Sequence, residues 1–189
     1  MWRKALIALA LCASPALAQE GTDGPGPNLV IEVSGQTSGQ IVIDLLPDVA
    51  PKHVAQIVAL AKSGAYDGVV FHRVIDGFMA QTGDVQFGKA GGDLSMAGMG
   101  GSDMADIPLE ASDLSFERGV VGMARSNDPN SANSQFFIMF APSPNLNGAY
   151  TVFGRVISGM EVVDAIKRGE GRNGEVTDPD VMAKVTVQD

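Results

Sequence analysis

Cysteine is nearly absent: Cys12 is the only one, and it lies in an N-terminal stretch with the form of a removable leader. The rest of the chain can therefore build no disulfide, no thiolate nucleophile and no thiolate metal site. Histidine is as scarce, with only His53 and His72. A Ser-His-Asp hydrolase needs a histidine placed as base, and neither residue stands in a nucleophile-elbow or protease-like context. Two separated histidines without cysteine also give no metal-ligand cluster, so no metal is expected and no other cofactor. Cations are outnumbered, 13 Lys and Arg against 22 Asp and Glu, and the net charge of −9 argues against nucleic acid as a partner. No apolar run is long enough to cross a membrane, the one at Ala5–Ala13 included.

That short run follows Arg3-Lys4 and precedes Ala16-Leu17-Ala18, the small-x-small form of a cleavage site. Residues 1–18 are read as a signal peptide, which implies a periplasmic or secreted mature protein beginning at Gln19. Leu11 is bulky where a lipoprotein signal wants a small residue before the cysteine, so no stable membrane anchor is expected. Residues 19–27 are rich in Gly, Pro and Asp and read as a flexible lead-in. The remainder, 28–189, has the size of one domain.

Leu29–Val33 and Gln40–Leu45 are short β-branched runs joined through glycine, which predicts an antiparallel pair. From Ala50 to Lys62, Val54, Ile57, Val58 and Ala61 fall at helical spacing, with Gly64 ending the helix. His53 lies on it beside Lys52, with no acid, cysteine or second histidine at i+4, and is expected as a half-exposed structural residue. Phe87–Asp106 is dense in Gly, Met, Asp and Ser without a period. It reads as a long loop, and it lacks the Gly-Lys-Ser/Thr and following helix of a phosphate-binding one. Gly119–Ala124, Phe136–Phe140, Val152–Val156 and Met182–Gln188 read as strands, and Gly159–Arg168 as a second helix. Many short strands and two helices suggest a mainly β fold, a closed antiparallel barrel that leaves no sheet edge.

The stretch Phe71–Asp84, Phe-His-Arg-Val-Ile-Asp-Gly-Phe-Met-Ala-Gln-Thr-Gly-Asp, concentrates the chemistry. It alternates like a strand, turns at Asp76-Gly77 and returns, bringing Arg73, Phe78, Met79 and Gln81 close together. The result is an apolar pocket with a single charged donor at its lip. Strand alternation turns His72 away from Arg73, and His72 is expected to be a buried, hydrogen-bonded structural residue.

Phe71-His72-Arg73-Val74-Ile75, Gly77-Phe78-Met79, Gln81 and Gly83-Asp84 resemble the signature of the cyclophilins. Two further blocks resemble the rest of that family's site in the right order: Gly122-Met123-Ala124-Arg125 through Ser134-Gln135-Phe136-Phe137-Ile138, then Leu146-Asn147-Gly148 to Val152-Phe153-Gly154. The resemblance covers roughly Asn28 to Gln188 and implies a closed eight-stranded antiparallel barrel capped by two α-helices. It implies a peptidyl-prolyl cis-trans isomerase acting, as a monomer, on proline-containing polypeptides and assisting the folding of extracytoplasmic proteins. The alternative from another class is a proline-peptide binding module or holdase chaperone whose isomerase rate is incidental.

Carried over residue by residue, Arg73 matches the catalytic arginine and Gln81 the glutamine that helps hold it. Phe78, Met79, Phe137 and Leu146 match the walls that receive the proline ring. Ala124 and Arg125 match the residues whose backbone runs beside the substrate, and Gln135 matches a glutamine in the same groove. Three positions depart from the well-studied eukaryotic members: Arg125 stands for Asn, Tyr150 for His in the substrate groove, and Asn145 for Trp. The loss of that Trp implies weak binding of cyclosporin, the cyclic peptide inhibitor of the family. Without the resemblance, the apolar four could equally be ordinary core and Arg73 a surface ion-pair residue.

Overall fold

The computed structural model describes residues 22–189, so the proposed signal peptide and the first residues of the lead-in lie outside the described residues. Among the described residues there are nine strands: β1 (Asn28–Ser34), β2 (Gly39–Leu45), β3 (Val69–Val70), β4 (Arg73–Ile75), β5 (Met79–Thr82), β6 (Val120–Met123), β7 (Phe136–Met139), β8 (Val152–Ser158) and β9 (Val181–Gln188). They form one antiparallel sheet in the order β3-β9-β1-β2-β8-β6-β7-β5-β4, curled into a half-barrel. This differs from the expected closed barrel of eight strands. Val69–Ile75 is a single run of chain whose start pairs with β9 and whose end pairs with β5. Its middle, Phe71-His72, is irregular, so the strand anticipated from Phe71 begins only at Arg73, and Val69–Val70 forms a separate, unanticipated strand; these two are the edges of the sheet.

Helix α1 (Pro51–Lys62) falls within the expected range, with Pro at its first turn and Gly64 at φ 75° beyond its end. Its N-terminus has no capping side chain of its own. Glu110, on a distant loop, supplies one: its carboxylate accepts from the Lys52 N–H (3.2 Å) and the His53 N–H (3.1 Å), and meets His53 Nδ1 at 2.6 Å. His53 is therefore fully buried, not half-exposed. The acid that explains it is 57 residues away in sequence. Helix α2 (Met160–Ala165) stops three residues short of the predicted end, because buried Asp180 takes the Lys167 N–H at 2.8 Å and draws the chain out of helix. The part of the lead-in that is described is tied down: Arg155 donates to the Thr22 carbonyl (2.7 Å) and the Leu45 N–H to the Pro27 carbonyl (3.1 Å).

The sheet is buried on both faces where the site lies. All four residues of β7 are buried, and they alternate between two separate clusters. Phe136 and Ile138 join the main core with Leu29, Ile31, Ile43, Val121 and Phe153. Phe137 and Met139 point the other way and pack with Met79, Phe116, Leu146 and Val152. An unbroken apolar run such as Phe136–Met139 is what a strand covered on both sides requires.

Burial, opposed by Glu110, lowers the His53 pKa, and burial lowers that of His72 as well. Burial pushes the Glu110 carboxyl up, but its hydrogen bonds from His53 and the backbone outweigh this and hold it below the ordinary value. All three folded values are depressed, so the stability they contribute is complete above the unfolded values and is lost as pH falls through each folded one. The histidine part starts to fade below 6.5 and the Glu110 part below 4.5. The urea midpoint is expected to fall on going from pH 7.5 to 5.5, and further by pH 4. An unchanged midpoint between pH 7.5 and 5.5 would show that the buried histidines are not held neutral.

Candidate active site

Register sets the central row of the site. Arg73 on β4 pairs with Gln81 on β5, Gln81 with Phe137 on β7, and Phe137 with Gly122 on β6. Arginine, glutamine and phenylalanine thus stand side by side across three adjacent strands. Gly122 must be glycine, since a Cβ there would lie 2.6 Å from the rings of both Phe116 and Phe137. Those two rings stack at 5.7 Å, and Tyr150 meets Phe137 edge-on at 5.9 Å.

Arg73 is held from two sides. Its Nε donates to the Asn173 carbonyl (3.0 Å) and its Nη1 to Gln81 Oε1 (3.0 Å), with Met79 Sδ 3.8 Å from the same nitrogen. Among the described residues it has no carboxylate partner, so the surface ion-pair alternative fails. Burial draws its pKa down, yet a guanidinium stays charged. Behind it, Gln81 Nε2 donates to Gln135 Oε1 (2.9 Å), and Gln135 Nε2 donates to the carbonyls of Gly98 (3.0 Å) and Gly100 (2.8 Å). The N–H groups of those two glycines are held in turn by Asp84 Oδ2, at 2.7 and 2.9 Å. This accounts for part of the Gly/Met loop, and it also disposes of a phosphate cradle at Gly98 and Gly100, because the Asp84 carboxylate already occupies these N–H donors.

Arg73, Phe78, Met79, Gln81, Ala124, Arg125, Phe137, Leu146 and Tyr150 surround one cavity of about 190 Å³, and Gln135 lines the adjoining cavity of about 310 Å³. Every predicted site residue is therefore brought together. Asn145 is not among the lining residues: it is exposed on a short 3-10 turn, Pro144–Leu146, where its Oδ1 accepts from Ser143. His72 is buried as expected, but among the described residues neither ring nitrogen has a hydrogen-bond partner. The lip also carries two cations where the hairpin alone predicted one, because Arg125 sits 4.3 Å over the Tyr150 ring. Sequence reasoning missed Asn173, Gly98 and Gly100, which act through backbone carbonyls and so leave no trace in side-chain pattern.

Residues 29–187 match the family model described as cyclophilin type peptidyl-prolyl cis-trans isomerase/CLD. A probable peptidyl-prolyl cis-trans isomerase of Brucella suis biovar 1 (strain 1330) is 52% identical over 189 residues, 98% of this chain and 96% of the relative. The peptidyl-prolyl cis-trans isomerase CYP18-1 of Arabidopsis thaliana is 41% identical over 72% of this chain and 82% of its own. Among solved structures, a cyclophilin type isomerase of Cryptosporidium parvum, crystallised in the presence of the dipeptide Ala-Pro, superposes with a TM-score of 0.73 at 27% identity. That match covers 86% of this chain and 99% of the other. The cyclophilin AquaCyp293 from Hirschia baltica gives 0.71 at 27% identity, covering 87% and 74%. A family model spanning nearly the whole described domain, and a relative sharing half its residues, place this chain among the cyclophilin-type peptidyl-prolyl cis-trans isomerases.

Proposed function

We propose that Arg73 is the catalytic donor of the isomerisation and that Gln81 holds it for that purpose. The barrier to rotation about an X-Pro bond, about 18–20 kcal/mol, is the resonance lost as the C–N bond twists. Twisting returns a lone pair to the prolyl nitrogen, which becomes a hydrogen-bond acceptor. A guanidinium fixed beside that nitrogen stabilises the twisted state more than the planar one, which is the condition for catalysis. The observation that carries this reading is the two-sided clamp on Arg73, which leaves its Nη2 group without a partner among the described residues at the mouth of an apolar cavity. Phe78, Met79, Phe137 and Leu146 are the walls for the proline ring, while Ala124, Arg125, Gln135 and Tyr150 line the groove that takes the flanking peptide. Isomerisation by this route needs no cofactor.

Arg73→Ala is expected to lower the catalysed exchange rate on a short proline peptide by a factor on the order of 10² to 10³. Circular dichroism should be unchanged, since Arg73 is only half-buried and is a member of neither apolar cluster. Arg73→Lys should restore little, because a point charge cannot reproduce the fork held by Asn173 and Gln81. A folded Arg73→Ala variant with more than half the wild-type rate would remove Arg73 from the role.

The substrates are proposed to be unfolded or loosely folded chains outside the cytoplasm, where the uncatalysed step takes roughly tens to hundreds of seconds. The Arg3-Lys4 start, the short apolar run and the Ala16-Leu17-Ala18 site support this. Mass spectrometry of the protein recovered from its own cells should find an N-terminus at Gln19 in the periplasmic or secreted fraction. A lipid-bearing N-terminus at Cys12, or an uncleaved cytoplasmic chain, would overturn it.

Cyclosporin is expected to bind weakly, because exposed Asn145 offers no broad apolar face to the groove. The contact of one large side chain is worth about 1.5–3 kcal/mol, or roughly a 10- to 150-fold loss in affinity. Calorimetric titration should show tighter binding by Asn145→Trp than by the wild type. Equal affinities would mean that position 145 does not face the inhibitor.

A further inference from the structure

Arg125 and Tyr150, two of the departures from the eukaryotic pattern, are in contact with each other. The Arg125 guanidinium lies 4.3 Å over the Tyr150 ring. Its Nε (3.3 Å) and Nη2 (2.9 Å) donate to the Ala149 carbonyl, and its Nη1 (2.8 Å) donates to the Ser126 carbonyl. Three of the five guanidinium N–H groups are thereby held by backbone, leaving one on each terminal nitrogen. The side chain is fixed without being neutralised: it has no carboxylate partner among the described residues. The nearest acid along the chain, Asp128, accepts from the Asn130 N–H within its own turn.

Position makes this cation matter. Arg125 lines both the 190 Å³ cavity assigned to the proline ring and the adjoining 310 Å³ cavity. A peptide with its proline seated in the first passes the guanidinium with a neighbouring residue. Neither cavity has a carboxylate in its lining, and the only other charge there is Arg73. In a chain of net charge −9 this groove is a local positive site with two unpaired guanidinium groups. The N–H groups that Arg125 keeps, one on each terminal nitrogen, are donors for a carboxylate.

We propose that Arg125 is a specificity-determining residue that favours substrates with an acidic side chain immediately before or after the proline. The proposal rests on the isomerase reading of the same groove. A Lys at the same place meets a fixed like charge and is disfavoured. A half-buried pair changes affinity by about threefold for each sign, so Glu should exceed Lys by about tenfold in kcat/KM.

The test is exchange kinetics by nuclear magnetic resonance on two peptide series, one varying the residue before proline and one the residue after, each with Glu, Gln and Lys. The expected order in at least one series is Glu, then Gln, then Lys. Arg125→Gln should bring the Glu to Lys ratio close to one, and Arg125→Glu should invert it, a result that loss of packing cannot produce. Wild-type ratios within twofold in both series would overturn the proposal. So would a ratio that survives Arg125→Gln, which would assign the preference to Arg73. Catalysed exchange of the Gln peptides by the wild type separates these outcomes from failure of the isomerase reading itself.

Discussion

A guanidinium can act on a transition state only if it is already in place, because reorganising it during the reaction would consume the stabilisation it offers. In the role proposed for Arg73, the contacts around it meet that requirement. Gln81 fixes one terminal nitrogen and the Asn173 carbonyl fixes Nε. Gln81 is oriented by Gln135, Gln135 by the Gly98 and Gly100 carbonyls, and that turn by the buried Asp84 carboxylate. Each side-chain amide in this relay accepts with its oxygen from one neighbour and donates with its nitrogen to the other, so donation runs in one direction, from cation toward carboxylate. An unsatisfied buried group anywhere along it would cost about 1–3 kcal/mol, which keeps the relay in a single arrangement.

The apolar half of the site depends on the sheet having two covered faces. In a sheet with one wet face, Phe137 and Met139 would have been polar. Here they build a second cluster behind the groove, with Phe116 stacked on Phe137 and Tyr150 set against its edge. The cavity proposed for the proline ring is thus backed by packed side chains on one face of the sheet, while the main core packs on the other. Gly122 lies against the second cluster, where the close approach of Phe116 and Phe137 leaves no room for even one methyl group.

The site's charge follows the same logic on a larger scale. Acidic residues dominate the chain, yet none lines either cavity of the groove. Arg73 and Arg125 share the groove and are held differently, the first by an amide and a carbonyl, the second by two carbonyls and an aromatic face. Carbonyls and rings orient a cation without neutralising it, and both charges are left to act on what enters.

What was legible in the sequence was local. Phe71–Asp84 folds into a hairpin, so its residues are neighbours in space because they are neighbours in the chain, and Arg73 opposite Gln81 could be read from the turn at Asp76-Gly77. Helix α1 was legible for the same reason, its period of apolar residues reporting a face within a few turns. The tertiary structure alone decided the rest. Asn173 reaches Arg73 from 100 positions away, Glu110 caps α1 and buries His53 from 57 away, and Asp180 ends α2 from beyond its C-terminus. It likewise made Val69–Val70 and Arg73–Ile75 the two edge strands of a nine-stranded half-barrel, where the family resemblance implies eight strands in a closed one. Side-chain periodicity records which face of an element is covered, but the partner that covers it is chosen by the curl of the sheet. Several of those partners are backbone carbonyls, which every residue type carries and no sequence pattern can mark.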